Sequence, residues 1–221
     1  MRSKKQMSIK KNINLSMEKM KAIAPLHQDR DYMGASIIAH SCIRFVWLEY
    51  RNQDRPILDA IDTTYKKAAV NKIDSLVKNK VIKDIKYQIE YQNDIIKGTA
   101  DVVMTFHDNT KVLVEIRIVD DESFKRIIEF DFYSAMRFYD HQCQAYMGLS
   151  KIANCIILVV NKNTSKYYYE YLKFDRDIFQ GLREKVEFIL EFNTLPSGHD
   201  KKDARCDMCK YINNCWKNNG S

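Results

Sequence analysis

The chain reads as an α/β protein built on one central mixed sheet flanked by helices, and three observations predict this. Apolar residues recur at helical spacing before residue 78, between 122 and 150, and from Arg176 to Phe192. Between and after these stretches lie five strand-like runs, the first three rich in β-branched residues and separated only by turn-prone residues. With 45% hydrophobic and 29% charged residues and only 6 Gly and 3 Pro in 221 residues, the chain can bury a sizeable core. That composition excludes collagen-like, low-complexity and wholly disordered classes. Apolar runs such as Cys155–Val160 fall far short of the roughly 20 residues of a bilayer span, so no membrane segment or membrane partner is expected.

Residues 1–30 are polar and basic and read as a flexible arm. Residues 31–221 read as a single domain that includes the cysteine-bearing C-terminal segment. Of the net charge of +7, residues 1–21 carry +6, seven bases against Glu18. The basic character therefore belongs to an arm able to touch phosphate, not to the body of the domain. The arm lacks the apolar stretch of a secretory signal and has Lys where a mitochondrial presequence favours Arg. A cytoplasmic location is expected, or the nucleoid or host cytosol for a viral protein. In such a reducing compartment the six cysteines are free thiols or metal ligands rather than disulfides.

In chain order, Ile37, Ile38, Cys42, Phe45, Val46 and Leu48 predict a helix over Gly34–Arg51. Leu58, Ile61, Tyr65, Ala69, Ile73 and Leu76 predict another over Ile57–Val77. The period then changes to that of strands over Ile85–Tyr91, Ile95–Phe106 and Lys111–Val119, with turns at Gln92-Asn93-Asp94 and His107-Asp108-Asn109. Residues 122–150 return to a helical period in two pieces. Asn154–Val160 and Lys166–Phe174 read as a strand pair. The closing helix, from Arg176 to Phe192, is stopped by Pro196-Ser197-Gly198.

In the strand at 111–119, Val114, Ile116 and Ile118 face one side while Leu113, Glu115 and Arg117 face the other. Asp101, in the preceding strand, is brought close to Glu115 by a hairpin. Two acids at buried strand positions are costly unless a cation or a base pairs with them. Two explanations stay open at this point. Arg117 forms a structural ion pair with one of the acids, or the two carboxylates hold Mg²⁺ or Mn²⁺ through hard oxygen ligands.

Gly98-x-x-Asp101, Glu115-x-Arg117 and Gln142-x-x-x-Tyr146, in this order, resemble the G-x-x-D, (D/E)-x-K and Q-x-x-x-Y motifs of the RecB-type PD-(D/E)XK nucleases. The resemblance covers roughly residues 34–217. It implies a restriction-endonuclease-like core and metal-dependent DNA exonuclease activity on single-stranded or frayed ends. The pathway implied is recombination, repair, or phage or mobile-element DNA processing, with a helicase or recombination partner. Asp101 and Glu115 would hold the metal and Arg117 would meet the scissile phosphate. Gln142 would orient water or a nucleotide, and Tyr146 would line the DNA channel, the two sharing one helix face.

Cys206-x-x-Cys209 and Cys215 place three soft ligands within ten residues, and Cys42 lies 164 residues upstream of Cys206 as a fourth. The iron–sulfur branch of the same family (the AddB nuclease domain, exonuclease V and CRISPR-associated exonucleases) has this arrangement of one remote and three clustered cysteines. Ala35-Ser36-x-x-x-x-Ser41-Cys42-x-Arg44 and Cys215-Trp216 also resemble it. The resemblance implies a four-iron, four-sulfur cluster joining the two ends of the domain. Spacing alone equally allows a structural zinc with four Cys ligands. Cys143 and Cys155 read as buried apolar thiols, and His40 and His141 as structural.

Two positions depart from the family pattern. Arg117 stands where Lys is usual, and arginine stays protonated, so it is a poor general base. The usual upstream acid is missing from Tyr65–Asn71, leaving Asp62 or Asp74 as substitutes, and Lys97 or Lys125 as a relocated cation. The alternative reading is a catalytically impaired nuclease-fold protein that binds DNA or a helicase.

Overall fold

A computed structural model describes residues 32–52, 68–71, 73–74, 79–130, 132–207 and 209–216. The basic arm, Asp62 and most of the helix expected over Ile57–Val77 lie outside the described residues, although 68–71 and 73–74 are helical. The strands are β1 (Met33–Gly34), β2 (Asp84–Gln92), β3 (Ile96–Thr105), β4 (Lys111–Val119), β5 (Asn154–Asn161) and β6 (Tyr167–Lys173). The helices are α1 (Ala35–Ile38), α2 (Ile43–Asn52), α3 (Asp121–Phe130), α4 (Phe132–Ser150), α5 (Arg176–Glu191) and the short α6 (Ile212–Trp216). Among the described residues, no helix is long and apolar enough to cross a membrane.

The six strands form one mixed sheet, as expected. β2 flanks one edge of β3, and β1 and β4 share the other, β1 beside Ile96 and Lys97 and β4 beside Val102–Thr105. β4 and β5 are parallel, and β6 closes the edge antiparallel to β5. The parallel step from β4 to β5 needs a long crossover, and α3 and α4 supply it on one face.

The main apolar cluster lies on the α4 face, where Ile38, Trp47, Leu113, Phe132, Met147, Ile157 and Val186 are buried together. A second cluster on the other face gathers Val102, Met104, Val114 and Ile116 under Ala69 and Ile73. Helix α5 is capped by Asp175, whose carboxylate accepts from the amides of Asp177 and Ile178, and it buries Leu182, Val186 and Ile189.

The single helix expected over Gly34–Arg51 is broken. Ala39–Cys42 form a turn between α1 and α2, and Met33–Gly34 pair with β3. The Cys42 amide donates to His40 Nδ1 (3.1 Å), while the Cys42 carbonyl accepts the first bond of α2 from Val46 N (3.2 Å). Cys42 thus occupies an N-cap position and not the middle of a helix.

The β2–β3 hairpin changes face halfway along its length. Ile85 and Tyr87 pack with the second cluster, whereas Ile89 and Tyr91 pack with the first. In β3, Ile96 and Ala100 belong to the first cluster and Val102 and Met104 to the second. Regular alternation would keep each set on one side. The switch falls at Gln88, whose φ of 50° is left-handed, and at Asp101 across from it. The ladder pairs Tyr87 with Val102 and Ile89 with Ala100 but skips this position.

Candidate functional site

The β3–β4 ladder stops at Val102↔Val114, and the two acids sit just past that point. Asp101 Oδ2 accepts the backbone amide of Ile116 at 3.0 Å, so a carboxylate takes up a main-chain donor where the ladder has ended. Asp101 is 8% exposed and Glu115 3%. Glu115 faces α4, where Gln142 Nε2 lies 3.4 Å from Glu115 Oε1 and donates to the Tyr146 hydroxyl oxygen at 2.7 Å. Burial pushes the Tyr146 phenol up, and both Glu115 and Asp101 add to the shift, so the two carboxylates and Tyr146 share one electrostatic environment. The expected sharing of one α4 face by Gln142 and Tyr146 is present as a direct hydrogen bond.

Gly98 and Tyr146 are two sides of one contact. A Cβ on Gly98 would stand 2.6 Å from Tyr146 Cε1 and 2.7 Å from Ala35 Cβ. Only glycine lets α4 and the start of α1 close on β3 here, and that closure seats α4 above Asp101 and Glu115.

Arg117 is held on three sides. Its Nη2 is 2.6 Å from Glu115 Oε1 and donates to Gln142 Oε1 at 2.5 Å, and its Cζ lies 4.2 Å from the centre of the Tyr139 ring. Burial alone would weaken the cation, but Glu115 and then Tyr139 more than offset it and raise the Arg117 pKa. Arg117 is therefore a fixed positive charge between strand and helix, and the ion-pair reading of it is realised with Glu115. Tyr139, one turn before Gln142, was not singled out by the motifs, yet it supplies the aromatic floor of this pair.

The other candidates fall elsewhere. Tyr87 donates a hydrogen bond to Asp74 on the second-cluster side of the sheet, which turns Asp74 away from α4. Lys97 pairs with Glu90 at 2.9 Å, and Lys125 with Asp121 at 2.7 Å. His40 stacks on Phe45 with ring centres 3.9 Å apart, and Cys143 and Cys155 are fully buried. Gln88, unmarked by any sequence signal, donates from Nε2 to Asp101 Oδ1 at 3.1 Å.

At the far end, Cys42, Cys206, Cys209 and Cys215 line one small cavity together with Phe45 and Trp216. None of the four is in a disulfide. Burial pushes the Cys206 thiol up, and Asp203 and the other three cysteines add to the shift. Among the described residues, no three Cys, His, Asp or Glu side chains approach closely enough to hold one metal ion together. The clasp around them is polar and long-range. Arg44 Nε donates to the Pro196 carbonyl at 2.7 Å and its guanidinium lies over Trp216, Trp47 Nε1 donates to the Phe192 carbonyl, and Lys210 pairs with Glu49 at 2.5 Å.

No protein-family model matches the chain, and no curated protein matches it. Among solved structures it is similar to the crystal structure of SSO0001, at 15% identity over 96% of both chains with a TM-score of 0.53. It is also similar to the alkaline exonuclease LHK-Exo from Laribacter hongkongensis, at 12% identity over 73% of this chain and 87% of that one with a TM-score of 0.55. A phage-related exonuclease from Haemophilus somnus 129PT matches at 12% identity over 68% and 78%, with a TM-score of 0.50. At these identities the likeness shows the fold: a six-stranded mixed sheet flanked by helices, arranged as in the exonucleases.

Proposed function

We propose that the chain is a metal-dependent DNA exonuclease of the RecB-like type. The observation that carries this reading is the pair of buried carboxylates, Asp101 and Glu115, on the parted ends of β3 and β4 beneath Gln142 and Tyr146. Buried carboxylates are stable when a cation compensates them, and their oxygens suit Mg²⁺ or Mn²⁺. Such a cation supplies Lewis acidity and an activated water for phosphodiester hydrolysis. Asp101 is oriented by the Ile116 amide and Glu115 by Gln142, so the chain holds both acids in fixed rotamers. Arg117 contributes positive charge for a phosphate. LHK-Exo, which shares the fold, has been crystallised with dAMP.

The four cysteines fit a four-iron, four-sulfur cluster. Zinc bonds of about 2.3 Å would draw four sulfurs to within about 3.8 Å of each other. Four thiols lining one cavity could serve either group, and it is the resemblance to the iron–sulfur branch that favours the cluster. When bound, the cluster would tie α2 to the C-terminal segment.

A second reading rests on the Arg117–Glu115 ion pair, which occupies one carboxylate from within. On that reading the chain binds DNA or a helicase partner without cutting. End-labelled oligonucleotides incubated with Mg²⁺ or Mn²⁺ decide between them. The exonuclease releases nucleotides, and Asp101→Ala lowers the rate by 10²-fold or more, on the order of a lost catalytic group. Salt-sensitive binding with no release, restored to cutting by Arg117→Lys, establishes an impaired centre.

A further inference from the structure

We propose that Gln88 is the third side chain of the Asp101–Glu115 cation site, offering its amide carbonyl oxygen to the cation. This rests on the metal-site reading above and extends it to a residue outside the motifs.

Gln88 is held in the left-handed region, at φ 50°, in the middle of β2. A non-glycine residue is rare there, and Asn or Gly would adopt it at lower cost. The position is exposed, so no packing of the side chain accounts for Gln at this point. What the conformation achieves is direction. It turns the hairpin from one face to the other, and it aims the side-chain amide at Asp101, with Nε2 donating to Oδ1 at 3.1 Å. Asp101 Oδ2 is oriented from the opposite side by the Ile116 amide. Strained backbone of this kind gathers at functional sites, where the surrounding fold over-determines it.

The second observation is the shortage of donors. Two carboxylates leave a hard divalent ion with coordination positions open to further oxygens, and among the described residues no third His, Cys, Asp or Glu joins them. Asp74 is turned to the other face of the sheet by Tyr87. A glutamine amide carries a hard carbonyl oxygen of the kind such ions accept. Its terminal torsion is broad and two-fold, so exchanging Nε2 for Oε1 requires only a turn about the last bond. Without a cation, the N–H side faces the Asp101 carboxylate. With a cation at Asp101, the same amide turned over presents oxygen.

The test is Mn²⁺ affinity, measured by calorimetry and by Mn²⁺ spin resonance on the full chain. Gln88→Leu weakens affinity by on the order of 10–100-fold, the range for a lost ligand-supporting group. Gln88→Gly removes the backbone strain and the amide together, so it melts no lower than the parent yet weakens Mn²⁺ binding as Gln88→Leu does. Gln88→Glu tightens binding several-fold, because a charged oxygen then faces the cation; a residue that merely braces Asp101 would instead bring repulsion and weaker binding. The proposal is overturned if Gln88→Leu and Gln88→Gly bind Mn²⁺ like the parent while Asp101→Ala abolishes binding, or if Gln88→Glu binds more weakly. A parent chain that binds no Mn²⁺ overturns this proposal and the metal site together. Binding that follows Gln88 as described, with no nucleotide released from DNA, sinks the exonuclease reading and leaves Gln88 in place.

Discussion

Gly98 shows how a single missing atom governs this site. Tyr146 Cε1 and Ala35 Cβ would lie 2.6 and 2.7 Å from a Cβ there, inside van der Waals contact. Gly98→Ala is expected to cost about 1–3 kcal/mol, as overpacking does, seen as a lower denaturant midpoint in urea. Because α4 must lift to make room, it should also slow any DNA cleavage more than the stability loss alone would. The side on which Glu115 and Arg117 lie was legible from strand alternation, whereas Asp101, Gln142 and Tyr146 were marked by their resemblance to the nuclease motifs, and periodicity alone would not have singled them out. Gln88 was not legible, since a left-handed residue leaves no trace in a polar–apolar pattern. Arg117 was legible as a charge, but its choice between ion pair and phosphate depends on Gln142 and Tyr139, which reach it from another element.

Helix α4 carries the site and also a defect. Met136 departs from helical geometry, at φ −138° and ψ 39°, where the helix kinks. One turn on, Asp140 is 2% exposed, and its Oδ2 has no hydrogen-bond partner among the described residues. Burial pushes the Asp140 carboxyl pKa up, while Gln144 and Arg137 pull it partly back. The folded protein therefore holds this proton more tightly than the unfolded chain does. Its contribution is present below about pH 4 and is lost as pH rises through the folded value. Asp140→Asn should raise the melting temperature at neutral pH, with the gain shrinking towards zero below about pH 4, measurable by calorimetry across pH. The two-piece helix over 122–150 was readable from its period. The break between α1 and α2 was not, because the apolar spacing runs through it and the His40 imidazole that takes the Cys42 amide is polar and period-neutral.

Across the whole molecule, the two ends of the domain are clasped together. The contacts of Arg44, Trp47 and Lys210 all join residues more than 140 positions apart, and the four cysteines lie among them. A link closing so long a loop restricts the unfolded chain strongly. On the proposed cluster reading an anaerobically purified sample is brown, and Cys209→Ser should remove that colour. It should also lower the melting temperature by about 10 °C, taking ~3–5 kcal/mol for such a link and ~2–4 °C per kcal/mol at this size. The single mixed sheet and the β2–β3–β4 meander were legible, from strand-like runs parted by turn residues, but the short β1 and the parallel pairing of β4 with β5 were not. The hairpin's change of face was not legible either, because each half obeys its own alternation and only three-dimensional packing joins them.

The parting of β3 from β4 leaves the Ile116 amide resting on a carboxylate oxygen instead of a carbonyl. That N–H is a built-in gauge of the Asp101 side chain, readable by solvent deuterium without any substrate. Whatever swings the carboxylate aside unshields this proton first, so in Asp101→Ala its exchange should quicken while its neighbours along β4, paired with β5, keep their protection.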